Sequence, residues 1–189
     1  FSVADNFEPT IDASITELCW WGFYSNFGTP PQCAPTGDDF TVTYYLDAGG
    51  AVGPVHAGPF TVAGLAAGPT GLTITTGAGD FDEYSYTGSH PAVAVTAGTC
   101  YWISITNTTT ADCLWLWSTS PDGDANSAQD AGGGFTPSDY DLAFGLDILF
   151  GVGSCPAPPA PANDDCGLAA GVTDGGTNYP TVGATPSAR

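Results

Sequence analysis

Hydrophobic and polar positions alternate along this chain in short runs bounded by turn residues. Residues 14–24 (SITELCWWGFY), 39–47 (DFTVTYYLD), 59–65, 71–75, 83–87, 92–96, 99–106, 113–118 and 140–150 each read as a strand. In such runs β-branched and aromatic side chains point alternately to opposite faces of a sheet. Nine short strands separated by turns predict two packed antiparallel sheets, an all-β sandwich of jelly-roll-like kind. Between them, residues 120–138 (SPDGDANSAQDAGGGFTPS) read as a polar surface loop, too rich in Gly and Asp for a core strand.

Composition supports the strands. There is no Met and no Lys, Arg189 is the one Arg, and Glu is confined to Glu8, Glu17 and Glu83, so most strong helix formers are missing. The 26 Gly and 16 Pro fall between the apolar runs, as turns require. A hydrophobic fraction of 42% with 12% aromatics is enough for a core despite a net charge of −19.

After residue 150 the pattern changes. The sandwich domain is expected over 1–151. VGSCPAPPAPANDDC then makes a stiff Pro-rich spacer over 152–166, and 167–189 form a strand-forming tail too short to bury a core of its own. The chain contains no signal peptide and no apolar run of about 20 residues, as expected for a mature or truncated product of export that does not insert in a membrane.

With 20 acidic groups against one basic side chain the field is negative everywhere, which excludes nucleic acid and anionic membranes as partners. Six cysteines in such a chain read as disulfides of an oxidising compartment, extracellular or at a cell surface. Their spacing predicts three local bridges, Cys19–Cys33, Cys100–Cys113 and Cys155–Cys166, among 15 connectivities.

Catalytic constellations are sparse. The only imidazoles, His56 and His90, lie in GPVHAGP and TGSHP, away from any nucleophile-elbow pattern, and read as turn residues. Neither an HExxH motif nor a free thiolate set suggests zinc. Paired carboxylates for glycoside hydrolysis have candidates enough, most of them solvated loop charges. Asp122, Asp124 and Asn126 have the alternate oxygen spacing of a calcium loop, but Gly133 stands where an EF-hand places its bidentate Glu, so this is at most a weak calcium site. The same holds for Asp80, Asp82 and Glu83, with Asx turns as the heavier reading in both places. No other cofactor is expected. The five Trp are read mainly as core, with sugar stacking as the rival, and Asn107-Thr108-Thr109 forms a glycosylation sequon.

The segments ADNF (4–7), ITELCWWGFY (15–24), DDFTVTYYLDAGG (38–50), DEYSYTG (82–88), AGTCYWISITN (97–107), LWLWSTS (114–120) and DLAFGL (141–146) resemble a β-sandwich module of unassigned function from large secreted multi-domain proteins of planctomycetes and similar bacteria. The tail PANDDCGLAAGVTDGGTNYPTVGATPS resembles the opening strands of a second tandem module. That resemblance implies a secreted β-sandwich and carries over no catalytic residue.

The function expected is therefore a non-catalytic extracellular structural subunit. Its partners are copies of itself in a head-to-tail polymer, built when the tail donates a strand through Val172, Tyr179 and Val182 to a neighbour. The rival readings are a polysaccharide-binding or adhesive module of a larger surface protein and, behind it, a hydrolase.

Overall fold

The computed structural model describes residues 2–28, 30–34, 37–108, 113–120 and 124–147. Asp122, Cys155, Cys166, the spacer and the tail with Val172, Tyr179 and Val182 lie outside them. The described residues form no helix. They form thirteen strands: β1 (Ser2–Phe7), β2 (Ala13–Ser25), β3 (Phe40–Asp47), β4 (Val52–Thr61), β5 (Ala63–Thr76), β6 (Gly79–Val95), β7 (Tyr101–Asn107), β8 (Leu114–Trp117), β9 (Thr119–Ser120), β10 (Ser127–Asp130), β11 (Thr136–Ser138), β12 (Asp141–Leu142) and β13 (Phe144–Leu146). The all-β class holds. No helix of the described residues is long and apolar enough to cross a membrane.

Six strands pair antiparallel in the order β11-β10-β1-β7-β3-β4, and β13-β2-β6-β5 with β8 make a second sheet of five. β9 and β12 form a separate two-stranded pair. One residue, Val62, separates β4 in the first sheet from β5 in the second; its N–H donates to the Phe40 carbonyl at 2.9 Å, so the chain turns the corner without losing a backbone hydrogen bond.

The core lies where the two sheets face each other. Phe40, Val42 and Tyr44 alternate inward from β3, while Trp20 and Tyr24 of β2 and Tyr86 of β6 point in from the other sheet. Trp20 stacks on Tyr86 at 5.5 Å and meets Phe40 edge-on at 5.0 Å. A smaller cluster of Ala4, Trp102 and Ala128 buries the outer face of the six-stranded sheet under Phe135. Trp20, Trp102 and Trp117 are buried and Trp21 and Trp115 half-buried, so burial accounts for most of the indoles.

The structure departs from the sequence pattern in three respects. The segment read as a polar surface loop supplies β10 and β11, which add to β1 through backbone bonds and need few apolar side chains. Residues 59–65, read as one strand, straddle the Val62 corner, and 83–87 with 92–96 belong to the single strand β6.

The disulfide pairing also needs correction. Cys33 bridges Cys113, 80 residues away in sequence with Cα atoms 5.8 Å apart, which excludes both Cys19–Cys33 and Cys100–Cys113. Cys19 and Cys100 are likewise disulfide-bonded. Pairing of β8 with β2 brings the start of β8 beside the β2–β3 connection, so sheet register and not loop length selects the partner.

Candidate functional site: an open strand edge

Sheet edges invite foreign strands; β13, at one end of the five-stranded sheet, is only three residues long, and three further edges here are blunted. β4 carries Pro54 and Pro59 and three register shifts against β3. β5 contains Pro69 and two register shifts against β6. β11 has three residues, one of them Pro137.

β8 is different. Its sequence is Leu-Trp-Leu-Trp, with neither Pro nor Gly, and it pairs in unbroken register with β2 from Gly22↔Trp117 to Ser25↔Leu114. Among the described residues it has no strand on its other side. A cleft of about 940 Å³ runs along it, near the top of the roughly 300–1,000 Å³ range of ligand pockets.

Both faces of β8 line that cleft. Trp115 and Trp117 point into the sandwich, where they meet Phe40 at 5.1 Å and Phe144 at 5.9 Å respectively. Val3 and Ile105 form the inner wall beside them. Leu114 and Leu116 point the opposite way by strand alternation, towards the wall made by Phe23 and by Ile74 of β5. Leu114 is 43% exposed. Thr and Ser hydroxyls, among them Thr75, Thr106 and Thr119, rim the cleft.

The only acidic residue of the described lining is Glu83, in a protein with 20 carboxylates. It is fully buried, and it accepts hydrogen bonds from Ser118 Oγ at 2.8 Å and Thr70 Oγ1 at 3.2 Å. The cleft is thus apolar on both walls and nearly uncharged.

Two features hold β8 in place. Cys113, immediately before it, is tied to Cys33. Gly22 of β2 lets the Trp115 indole lie against the backbone: a Cβ there would collide with that indole and sit 2.7 Å from the Leu116 carbonyl oxygen. Gly22→Ala is therefore expected to destabilise the fold by about 1–3 kcal/mol and to splay β8 from β2, read as a lower thermal midpoint and a red-shifted Trp emission. Unchanged emission would mean that β8 tolerates the added methyl in place.

The other sequence candidates fall elsewhere. His90 is buried beside Tyr44, its Nε2 3.0 Å from Tyr44 Oη and its Nδ1 2.8 Å from the Pro91 carbonyl; burial lowers its pKa. His56 Nε2 lies 2.8 Å from the Ala94 carbonyl. The amide of Asn107, the sequon residue, donates to Asp38 at 2.7 Å and Tyr24 Oη at 3.1 Å and is committed inside the fold.

Asp80, Asp82 and Glu83 diverge: Asp80 accepts from Thr75 and Asp82 from Gln32, while Glu83 is buried on the opposite face of β6. Asp124 accepts the backbone N–H of Asn126 and lies beside Asp141 and Asp5. Burial raises the Asp5 carboxyl well above the usual carboxylate range, with the Asp141 charge adding to it. Burial likewise pushes Asp124 up to about 6. No group of three or more His, Cys, Asp or Glu among the described residues is placed to hold a metal ion.

Comparison with protein-family models, with curated proteins and with solved structures finds no match to this chain. The disulfide bonds point to an oxidising, non-cytoplasmic environment.

Proposed function

We propose that this chain is a non-catalytic extracellular structural subunit that receives a β-strand from a neighbouring copy along β8. The observation that carries the reading is the contrast between three blunted edges and the bare Leu114–Trp117 edge, with apolar walls on both of its faces. An incoming strand would complete the backbone ladder of β8 and send alternate side chains to the Trp115 side and to the Leu116 side; backbone bonds give such a contact its affinity and the side pockets its selectivity. The nearly uncharged lining suits a donor rich in Gly and Thr, the composition of residues 167–186, with Val172, Tyr179 and Val182 among its apolar side chains. Like charge repels these copies over a distance, and an interface of backbone bonds and apolar side chains needs no salt bridge to overcome it.

The polysaccharide reading is weaker on these observations, because no Trp or Tyr of the described residues is fully exposed as a stacking platform. The test is self-association of the full chain, followed by light scattering and electron microscopy across concentration. The intact chain is expected to form filaments, the chain lacking 167–189 to be a folded monomer, and Leu114→Asp, at an exposed rim position, to fold yet fail to polymerise. Filaments of the shortened chain, or an intact chain that stays monomeric at every concentration, would refute strand donation.

A further inference from the structure

Asp5 on β1, Asp141 on β12 and Asp124 before β10 lie close together. Asp5 is 2% exposed; its carboxylate accepts the Asn6 N–H at 2.8 Å and the Leu142 N–H at 2.6 Å. Asp141, also buried, accepts the N–H groups of Asp124 at 3.2 Å and Ala125 at 2.9 Å. Asp124 Oδ2 accepts from Asn6 Nδ2 at 2.8 Å. The chain's one basic side chain, Arg189, lies outside the described residues, and both imidazoles are engaged elsewhere. Among the described residues, no cationic side chain neutralises the three acids.

Two oxygens at this place have no hydrogen-bond partner among the described residues. Asp124 Oδ1 is buried without a hydrogen-bond partner. Ser127 is 0% exposed, and its Oγ also lacks a partner. Ser127 stands directly across from Asp5 in the β1–β10 ladder, so both side chains project from the same face of the sheet. A buried hydroxyl without a partner is costly, and a proton shared between Asp124 and Asp141 would leave it so. A cation bound among these oxygens would satisfy the hydroxyl and the carboxylates together.

We infer that Asp124 and Asp141, with Ser127 Oγ and the nearby charge of Asp5, form a calcium site. The donor set is mixed, two carboxylates and a hydroxyl completed by backbone carbonyls or water, which suits the flexible six- to eight-fold oxygen coordination of Ca²⁺ at about 2.3–2.6 Å. Mg²⁺ keeps its water and asks for near-octahedral geometry, so it fits a buried pocket of this kind poorly. The site would clamp β1, β10 and β12 in a calcium-containing external medium. It draws on none of the residues of the β8 cleft and does not depend on strand donation.

The experiment uses the full chain, stripped with EDTA and titrated with CaCl₂ or MgCl₂ by calorimetry, with the thermal midpoint recorded alongside. A saturable one-site calcium isotherm is expected, with a midpoint raised by several degrees and little response to Mg²⁺. Asp124→Asn, at a half-exposed position that should fold, is expected to weaken Ca²⁺ at least about ten-fold. Ser127→Ala should weaken it less, with circular dichroism unchanged in both variants. A wild-type chain without heat or midpoint change overturns the site. So does an equal response to Mg²⁺, or an Asp124→Asn variant that binds Ca²⁺ as well as wild type, since either means general charge screening of an acidic surface.

Discussion

Replacing Cys33 and Cys113 together by alanine is expected to destabilise the protein by about 4 kcal/mol, within the usual 2–5 kcal/mol for a native bridge. The bridge closes 80 residues, and by loop-closure entropy it restricts the unfolded chain more than a bridge over a dozen residues would. It also has a local effect in the folded state. β8 is four residues long and pairs with β2 alone among the described residues, so without the covalent tie at Cys113 the start of its ladder should fray. Thermal unfolding of the double variant gives the first effect, and faster hydrogen exchange at 114–117 gives the second. Direct proof of the pairing needs a peptic digest under non-reducing conditions, since a chain without Lys and with one Arg, at position 189, gives trypsin no useful site. A peptic fragment joining Cys33 to any cysteine but Cys113 would sink the argument.

Trp20→Ala should cost about 3–5 kcal/mol. Trp20 is 0% exposed at the centre of the aromatic cluster, between Phe40 and Tyr86, and its removal leaves a cavity between two sheets whose backbones are fixed by their ladders. Trp20→Phe is a sharper test. The Trp20 indole N–H is buried without an acceptor among the described residues, so phenylalanine removes an unsatisfied donor along with part of the ring and should cost much less than alanine. Chemical denaturation of both variants measures the difference. Equal losses would mean that the indole N–H is satisfied in solution and that the ring's volume is not what matters.

How far the sequence reveals this structure depends on what each segment uses to fold. β3 is legible because it alternates without a flaw: Phe40, Val42 and Tyr44 are buried and the residues between them are not. β2 and β7 announce themselves by their density of aromatic and β-branched residues. β6 is concealed by Pro91, which looks like a terminator but sits in the irregular stretch between Ser89 and Val93 where the ladder to β2 shifts register and a missing N–H costs nothing. β10 (SAQD) is illegible because its place is fixed by backbone bonds to β1 and not by apolar side chains. The cysteine pairing is beyond spacing arguments, since it depends on the register of β8 against β2. The candidate site left one trace, the run Leu-Trp-Leu-Trp, apolar at every position. Such a run suits a strand covered on both faces, and only the fold reveals that its second edge is uncovered.

The blunted edges also govern what kind of material these molecules could make. With β4, β5 and β11 blunted and β13 only three residues long, a chain that takes one strand along β8 and gives one is a bifunctional monomer in the polymer chemist's sense, so growth would be linear and unbranched. A copy without its donor segment could still occupy a growing end but could not extend it. The ratio of clipped to intact chains would then set filament length, as a monofunctional reagent sets the degree of polymerisation in a condensation.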